Sequence, residues 1–252
     1  MNDFKLQKYE ELCQELKNSS YNLMTFHNYL SSQSADGSVC ILRHDVDRKL
    51  RNALIMAKLE DKLGVKSTYY FRYPYTFNQD IIRNISLLGH EIGYHYETLA
   101  KAEGDREKAI VFFEQELKEF RKIADVKTIC MHGSPLSKYD NRDLWKWYDF
   151  SDFGIEGEAY LSMAEANVQY LTDTGRSWSA KHSIRDVMPG ATKALPVEST
   201  NDLIRYIRSS RKESFYLTIH PERWAGSNKE WIVGYAKDLA VNTAKSILMA
   251  IR

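Results

Sequence analysis

The apolar run at residues 39–42 passes without a break into Arg43-His44-Asp45-Val46-Asp47, and a strand ending in charge recurs along the chain. Side chains alternate along a strand, so Arg43, Asp45 and Asp47 share one side and His44 takes the other. Further strand-like runs end at Arg72, His95, His132, Asp173 and His220. Between them lie helix-like segments at 48–63, closed by Gly64, at 79–88, closed by Gly89, and at 105–124. Residues 4–30 read as a leading amphipathic helix, 152–155 and 169–173 as strands, and 201–210 as a helix. The tail from 229 onward is largely helical. This alternation predicts parallel βα units. Titratable residues at so many strand ends favour a distorted (β/α) barrel of about seven parallel strands over an open doubly wound sheet.

A chain of 252 residues suits one such domain, with residues 1–38 as a helical lead-in, 39–224 as the barrel and 225–252 as a C-terminal helix. Lys and Arg outnumber Asp and Glu by only one, and the pI is about 7.7, which gives no reason to invoke nucleic acid. Cys13, Cys40 and Cys130 show no CxxC spacing and read as small buried hydrophobes of a reducing compartment. The first residues carry charge instead of an apolar signal core, and no apolar run reaches the ~20 residues of a membrane span. A cytoplasmic protein is the expectation; the oligomeric state stays open.

Two carboxylates and a guanidinium at one strand end are costly unless a cation or a reaction uses them, although an Asp-rich turn also closes strands. The second dense segment is Gly89-His90-Glu91-Ile92-Gly93-Tyr94-His95-Tyr96-Glu97. His95 and Glu97 share a strand face and would meet Asp47 at the rim, a donor set suited to zinc, with cobalt or nickel as alternatives. His90 sits at the far end of that strand and reads as structural. Met131-His132-Gly133-Ser134-Pro135 ends a strand in a turn-rich loop, where His132 is a metal ligand, a substrate contact or a simple strand cap. Thr218-Ile219-His220-Pro221 places a titrating group where it could protonate a leaving group. In Asp173-Thr174-Gly175-Arg176-Ser177-Trp178, Asp173 could orient a histidine, Arg176 bind an anion or sugar hydroxyls, and Trp178 stack on a ring; each alone is also ordinary loop chemistry. Arg43, Arg72 and Ser134 complete the expected substrate contacts.

Together these segments resemble the polysaccharide deacetylase superfamily, carbohydrate esterase family 4. The resemblance covers roughly residues 39 to 224, and its motif order is more specific than any one motif. It implies Asp45 as general base, Asp47 and His95 as metal ligands, Asp173 as the residue tuning a catalytic histidine, Trp178 as that motif's tryptophan, and His220 as general acid. The motif that supplies an arginine to hold the base has no clear match. Gly133-Ser134-Pro135 occupies its place in order, and Arg43 or Arg72 could substitute. The second histidine of the metal motif should fall at Leu99, so His132 or Glu97 completes the triad or the domain has drifted from catalysis. The pattern looks like a divergent branch associated with surface-polysaccharide gene clusters. The expected function is a metal-dependent hydrolase that removes an acyl group from the nitrogen of an amino sugar, with a small-molecule or oligosaccharide substrate. A different metal hydrolase such as a phosphoesterase, or a carbohydrate-binding protein without the metal, are the alternatives.

Overall fold

The computed structural model describes residues 3–19, 21–32, 37–134, 137–178, 185–186, 188, 195–209 and 213–251. Pro135 of the Gly-Ser-Pro loop lies outside them. Eight strands form one all-parallel sheet: β1 (Asn22–Met24), β2 (Val39–Val46), β3 (Thr68–Phe71), β4 (Glu91–Tyr96), β5 (Thr128–Met131), β6 (Gly157–Glu158), β7 (Gln169–Thr172) and β8 (Phe215–Ile219). Seven follow the order β6-β5-β4-β3-β2-β8-β7 in a curled, barrel-like sheet, and β1 pairs with the first half of β2. Among the described residues the outer strands β6 and β7 do not pair. The helices are α1 (Leu6–Asn18), α2 (Phe26–Ser31), α3 (Leu50–Leu63), α4 (Gln79–Leu87), α5 (Thr98–Lys101), α6 (Arg106–Arg121), α7 (Thr200–Ser209) and α8 (Asn228–Ile251). No helix among the described residues is long and apolar enough to cross a membrane.

Two expectations are corrected. The leading helix does not run through residue 30: Tyr9, Leu12, Cys13 and Leu16 form the buried stripe of α1, which ends at Asn18. The chain then adds β1 to the sheet, and the Thr25 hydroxyl caps α2 by accepting from the Asn28 amide at 3.2 Å. Residues 152–155 are not a strand. The Asp149 carboxylate accepts from the Ser151 amide at 2.8 Å and starts a 3₁₀ turn, Phe150–Phe153, and the sheet contact follows at β6.

The two faces of the central strand do different work. Cys40 and Leu42 join the apolar layer under α1, α3 and α7, together with Phe215, Leu217 and Ile219 of β8. His44, on the same face, meets Glu60 at 2.6 Å, so it belongs to the helix layer and not to the barrel mouth. Ile41, Arg43 and Asp45 face inward among aromatic side chains, where Phe26 stacks on Tyr216 with centroids 5.9 Å apart. Gly93 is fixed by packing: it is paired across the sheet with Tyr70, and a Cβ there would lie 2.2 Å from the Tyr70 ring. Gly93→Ala should therefore cost about 1–3 kcal/mol through overpacking. Denaturant unfolding would show it as a lower midpoint with unchanged slope; a neutral effect would mean that the Tyr70 ring has room to move.

Candidate metal and acid–base site

The carboxyl ends of β2, β4, β5, β7 and β8 open on a cavity of about 580 Å³, within the size range of small-molecule sites. Its floor is set by a buried fork. Arg43 Nε lies 2.9 Å from Asp45 Oδ1, and Nη2 donates to Oδ2 at 2.9 Å. The two residues share a face because they stand two apart on β2. Arg43 is fully buried and donates further to the hydroxyls of Tyr216 at 3.0 Å and Tyr160 at 2.7 Å. Burial alone would disfavour the guanidinium charge, and the Asp45 carboxylate more than restores it.

Asp47 lies one turn beyond. Its Oδ1 is buried and makes no hydrogen bond among the described residues, while His95 Nε2 stands 3.4 Å and His132 Nε2 3.6 Å from it. The opposite ring nitrogens are committed. His95 Nδ1–H donates to the Cys130 carbonyl at 2.9 Å, and His132 Nδ1–H to Glu97 Oε2 at 2.9 Å. An orphaned carboxylate oxygen facing two Nε2 atoms, each backed by an acceptor on the other nitrogen, is the donor chemistry of a divalent cation. Ligand bonds of 2.0–2.1 Å in a tetrahedral site separate neighbouring donors by roughly 3.3–3.4 Å, which the two spacings to Asp47 approach. Against burial, His132 and His95 hold the Asp47 carboxyl well below its usual range, so it stays charged for a cation. A second grouping, of Asp45, His95 and Cys130, is the one among the described residues whose donor atoms all lie within 4.8 Å of one another. Its chemistry fits less well. Asp45 Oδ2 already accepts from Arg43 and Oδ1 is in ion-pair contact with it, and burial pushes the Cys130 thiol far from ionisation.

The expected ligands thus divide. Glu97 does not face the cavity as a donor: it begins α5, takes His132 and the Ser134 hydroxyl on Oε2, and pairs with Arg72 at 2.8 Å. His132 and Arg72 hold it down to about 2 against burial. Leu99, at the position where a second histidine was expected, is buried in the core, and His132 reaches the place from the next strand. Arg72 is therefore tied to Glu97, and the guanidinium on Asp45 is Arg43.

Across the cavity, Asp173 Oδ1 accepts from His220 Nδ1 at 2.6 Å and from Arg223 at 2.8 Å, and Oδ2 accepts from the His220 amide and from Trp224 Nε1 at 2.9 Å. Burial and Arg223 press the His220 imidazole down, but Asp173 and Asp47 outweigh them and lift it to about 9. Two sequence expectations fail here. Trp178 is 1 % exposed, donates to Thr200 Oγ1 at 3.1 Å and packs against Phe4 and Trp224 beneath the site, so it offers no stacking wall; the indole on Asp173 belongs to Trp224. Arg176 is turned to Asp238 of α8 at 2.5 Å and does not line the cavity.

Three residues escaped sequence reasoning. Asp186 lines the cavity and accepts hydroxyls from Tyr160, Thr172 and Thr174, each at 2.7 Å. Asn141 donates to the His132 carbonyl at 2.7 Å and holds that loop. Glu222, two residues after His220, leaves Oε2 buried without a hydrogen-bond partner among the described residues, and burial with the Asp47 charge pushes its carboxyl up to about 7. The His-Pro-Glu-Arg sequence could have pointed to Glu222; nothing local marks Asp186 or Asn141.

No family model matches the chain, and no curated protein matches it. Solved structures that match include proteins described as CE4 or family 4 carbohydrate esterases, a pseudoenzyme and a deacetylase. Wild-type BA3943, a CE4 family pseudoenzyme from Bacillus anthracis, is 12% identical with a TM-score of 0.44; the match covers 82% of this chain and 62% of that one. The catalytic domain of a peptidoglycan N-acetylglucosamine deacetylase from Eubacterium rectale is 16% identical with a TM-score of 0.43, over 84% and 89%. A family 4 carbohydrate esterase from Bacillus anthracis is 14% identical with a TM-score of 0.41, over 94% and 86%. The chain thus spans less than two thirds of BA3943. These likenesses concern the path of the chain; the chemistry of the site stands on its own side chains.

Two outcomes follow from the geometry. Glu97→Gln should weaken the hold on a divalent ion by about 10–100-fold through loss of His132 orientation; unchanged affinity in a chelator competition would separate Glu97 from the site. In the metal-free protein, an NMR titration of His220 should give a value near 9, falling to about 6.5 or below in Asp173→Asn. Because the folded value lies above the unfolded one, this pair stabilises the fold fully below about pH 6.5. That contribution is lost as the pH rises through 9.

Proposed function

We propose that the protein is a metal-dependent hydrolase removing an acyl, most simply acetyl, group from the nitrogen of an amino sugar or a related amide. One observation carries the reading. A carboxylate held by a buried guanidinium (Asp45–Arg43) and an imidazolium held by a buried carboxylate (His220–Asp173) line one cavity with the Asp47, His95 and His132 donors. Amide hydrolysis needs a base for water and an acid for the departing amine, so such an acid and base belong together.

Asp47, His95 and His132 would hold a zinc-class ion, with cobalt or nickel as substitutes. When bound, that ion supplies Lewis-acid polarisation of the acyl carbonyl and makes a nearby water more acidic. Asp45 takes the proton of the attacking water, and Arg43 keeps the carboxylate oriented. Main-chain N–H groups near Tyr73 or Gly133 are the candidate hydrogen-bond donors to the developing oxyanion. His220, protonated below about pH 9, gives its Nε2 proton to the leaving nitrogen while Asp173 holds Nδ1. Ser134 stands at the rim as a substrate contact. Surface-polysaccharide metabolism is the setting that suits this chemistry, and a cytoplasmic location, with a soluble precursor as substrate, completes the proposal.

Elemental analysis and amide turnover test it together. Wild type should carry about one ion per chain, and His95→Ala and His132→Ala should lose it. Asp45→Asn should keep the ion and lose on the order of 10²–10⁴-fold in turnover. A wild-type chain that takes up no zinc, cobalt or nickel would overturn the reading, and equal loss of metal and turnover in Asp45→Asn would mean that the two carboxylates have exchanged roles.

A further inference from the structure

The proposed reaction leaves one part of the cavity without a task. Arg48 and Lys49 follow Asp47 directly and line the mouth, and Lys237 of α8 lines it as well. All three side chains are exposed, and among the described residues none has a carboxylate within ion-pair distance. The other cations lining the cavity are committed, Arg72 to Glu97, Arg223 to Asp173 and Arg185 to the Gly133 and Ser134 carbonyls. Lys237 does not use the acid beside it in sequence, since Asp238 is occupied by Arg176. Of the acids on the cavity wall, Asp186 is saturated by hydroxyl groups, and Glu222, its carboxyl pushed up to about 7 by burial and the Asp47 charge, sits inside beside Asp47 and His220 and not at the mouth. A divalent ion on Asp47 and the imidazolium at His220 would add further positive charge to the same space.

Exposed lysines and arginines are ordinarily just solvated. These three, however, come from two separate elements onto one cavity, and the first turn of α3 begins at the same rim with no side chain capping it. The positive end of that helix reinforces the field of the cations. Converging like charges that find no partner within the fold repel one another, and an anion relieves the repulsion.

We propose that the substrate carries an anionic group, a phosphate or a carboxylate, bound at the cavity mouth by Arg48, Lys49 and Lys237. This rests on reading the cavity as the substrate site and narrows the substrate from amino sugars at large to charged ones. A nucleoside diphosphate attached to the sugar and a uronate within it share this chemistry.

Calorimetric titration distinguishes them, with uridine diphosphate, galacturonate and neutral N-acetylglucosamine as probes. Wild type and an Arg48→Ala/Lys49→Ala/Lys237→Ala variant are compared in metal-loaded and metal-stripped forms. These side chains are exposed, so the variant should fold, which its circular dichroism and melting temperature check. At least one anionic probe should bind the wild type more tightly than the neutral sugar, with affinity falling about tenfold or more in the variant and weakening with added salt. Preference for uridine diphosphate assigns the charge to a nucleotide carrier, and preference for galacturonate to the sugar. Anionic probes binding no better than the neutral sugar, or equally well to the variant, would overturn the proposal. Failure of the hydrolase reading would show separately, as absent metal or amide turnover with the anion affinities unchanged.

Discussion

The Arg43–Asp45 fork is the interaction on which the site depends. An ion pair this deeply buried gives up hydration that its own attraction does not fully return unless the remaining polar atoms are satisfied. Here Tyr216 and Tyr160 accept from the guanidinium, and their rings lie 5.3 and 4.6 Å from its central carbon. Tyr160 passes the constraint on by donating to Asp186, and Glu158 holds the Tyr160 amide at 2.8 Å. The barrel interior is thus a polar frame set among aromatic rings, and it fixes one carboxylate facing the cavity.

Around this frame the histidines are oriented from behind. Each of His95, His132 and His220 has Nδ1 committed to an acceptor, respectively a carbonyl, Glu97 and Asp173, which leaves Nε2 as the working atom. The same device serves two ends. Behind His132 a carboxylate strengthens a donor toward a cation, and behind His220 it holds a proton.

What the sequence made legible was whatever depends on local period. Two-residue alternation put Arg43 with Asp45 and sent His44 to the helix layer, and the recurrence of charge at strand ends gave the parallel α/β architecture. The break at β1 was hidden because a three-residue strand leaves too short a period to interrupt a helical reading of residues 4–30. Residues 152–155 look extended until Asp149 is seen to cap a 3₁₀ turn. Trp178 and Trp224 are chemically alike, and only packing decides which indole reaches Asp173. Leu99 against His132 is the same kind of problem: the sequence showed no histidine at 99, while the imidazole that stands beside Asp47 comes from a neighbouring strand, a relation set by sheet order. Asp186 and Asn141 act wholly through contacts distant in sequence.

The register of β2 with β8 has a consequence of its own. Asp45 and His220 each follow directly on a ladder pair, Arg43↔Thr218 and His44↔Ile219. Their separation is therefore tied to the spacing of adjacent strands, about 4.8 Å, and not to any loop. Arg48, Lys49 and Lys237 lie outside the sheet ladder, while the sheet acts as a fixed ruler between Asp45 and His220. Under the proposed reaction, changes at the rim alter what is accepted while the sheet keeps base and acid at one spacing.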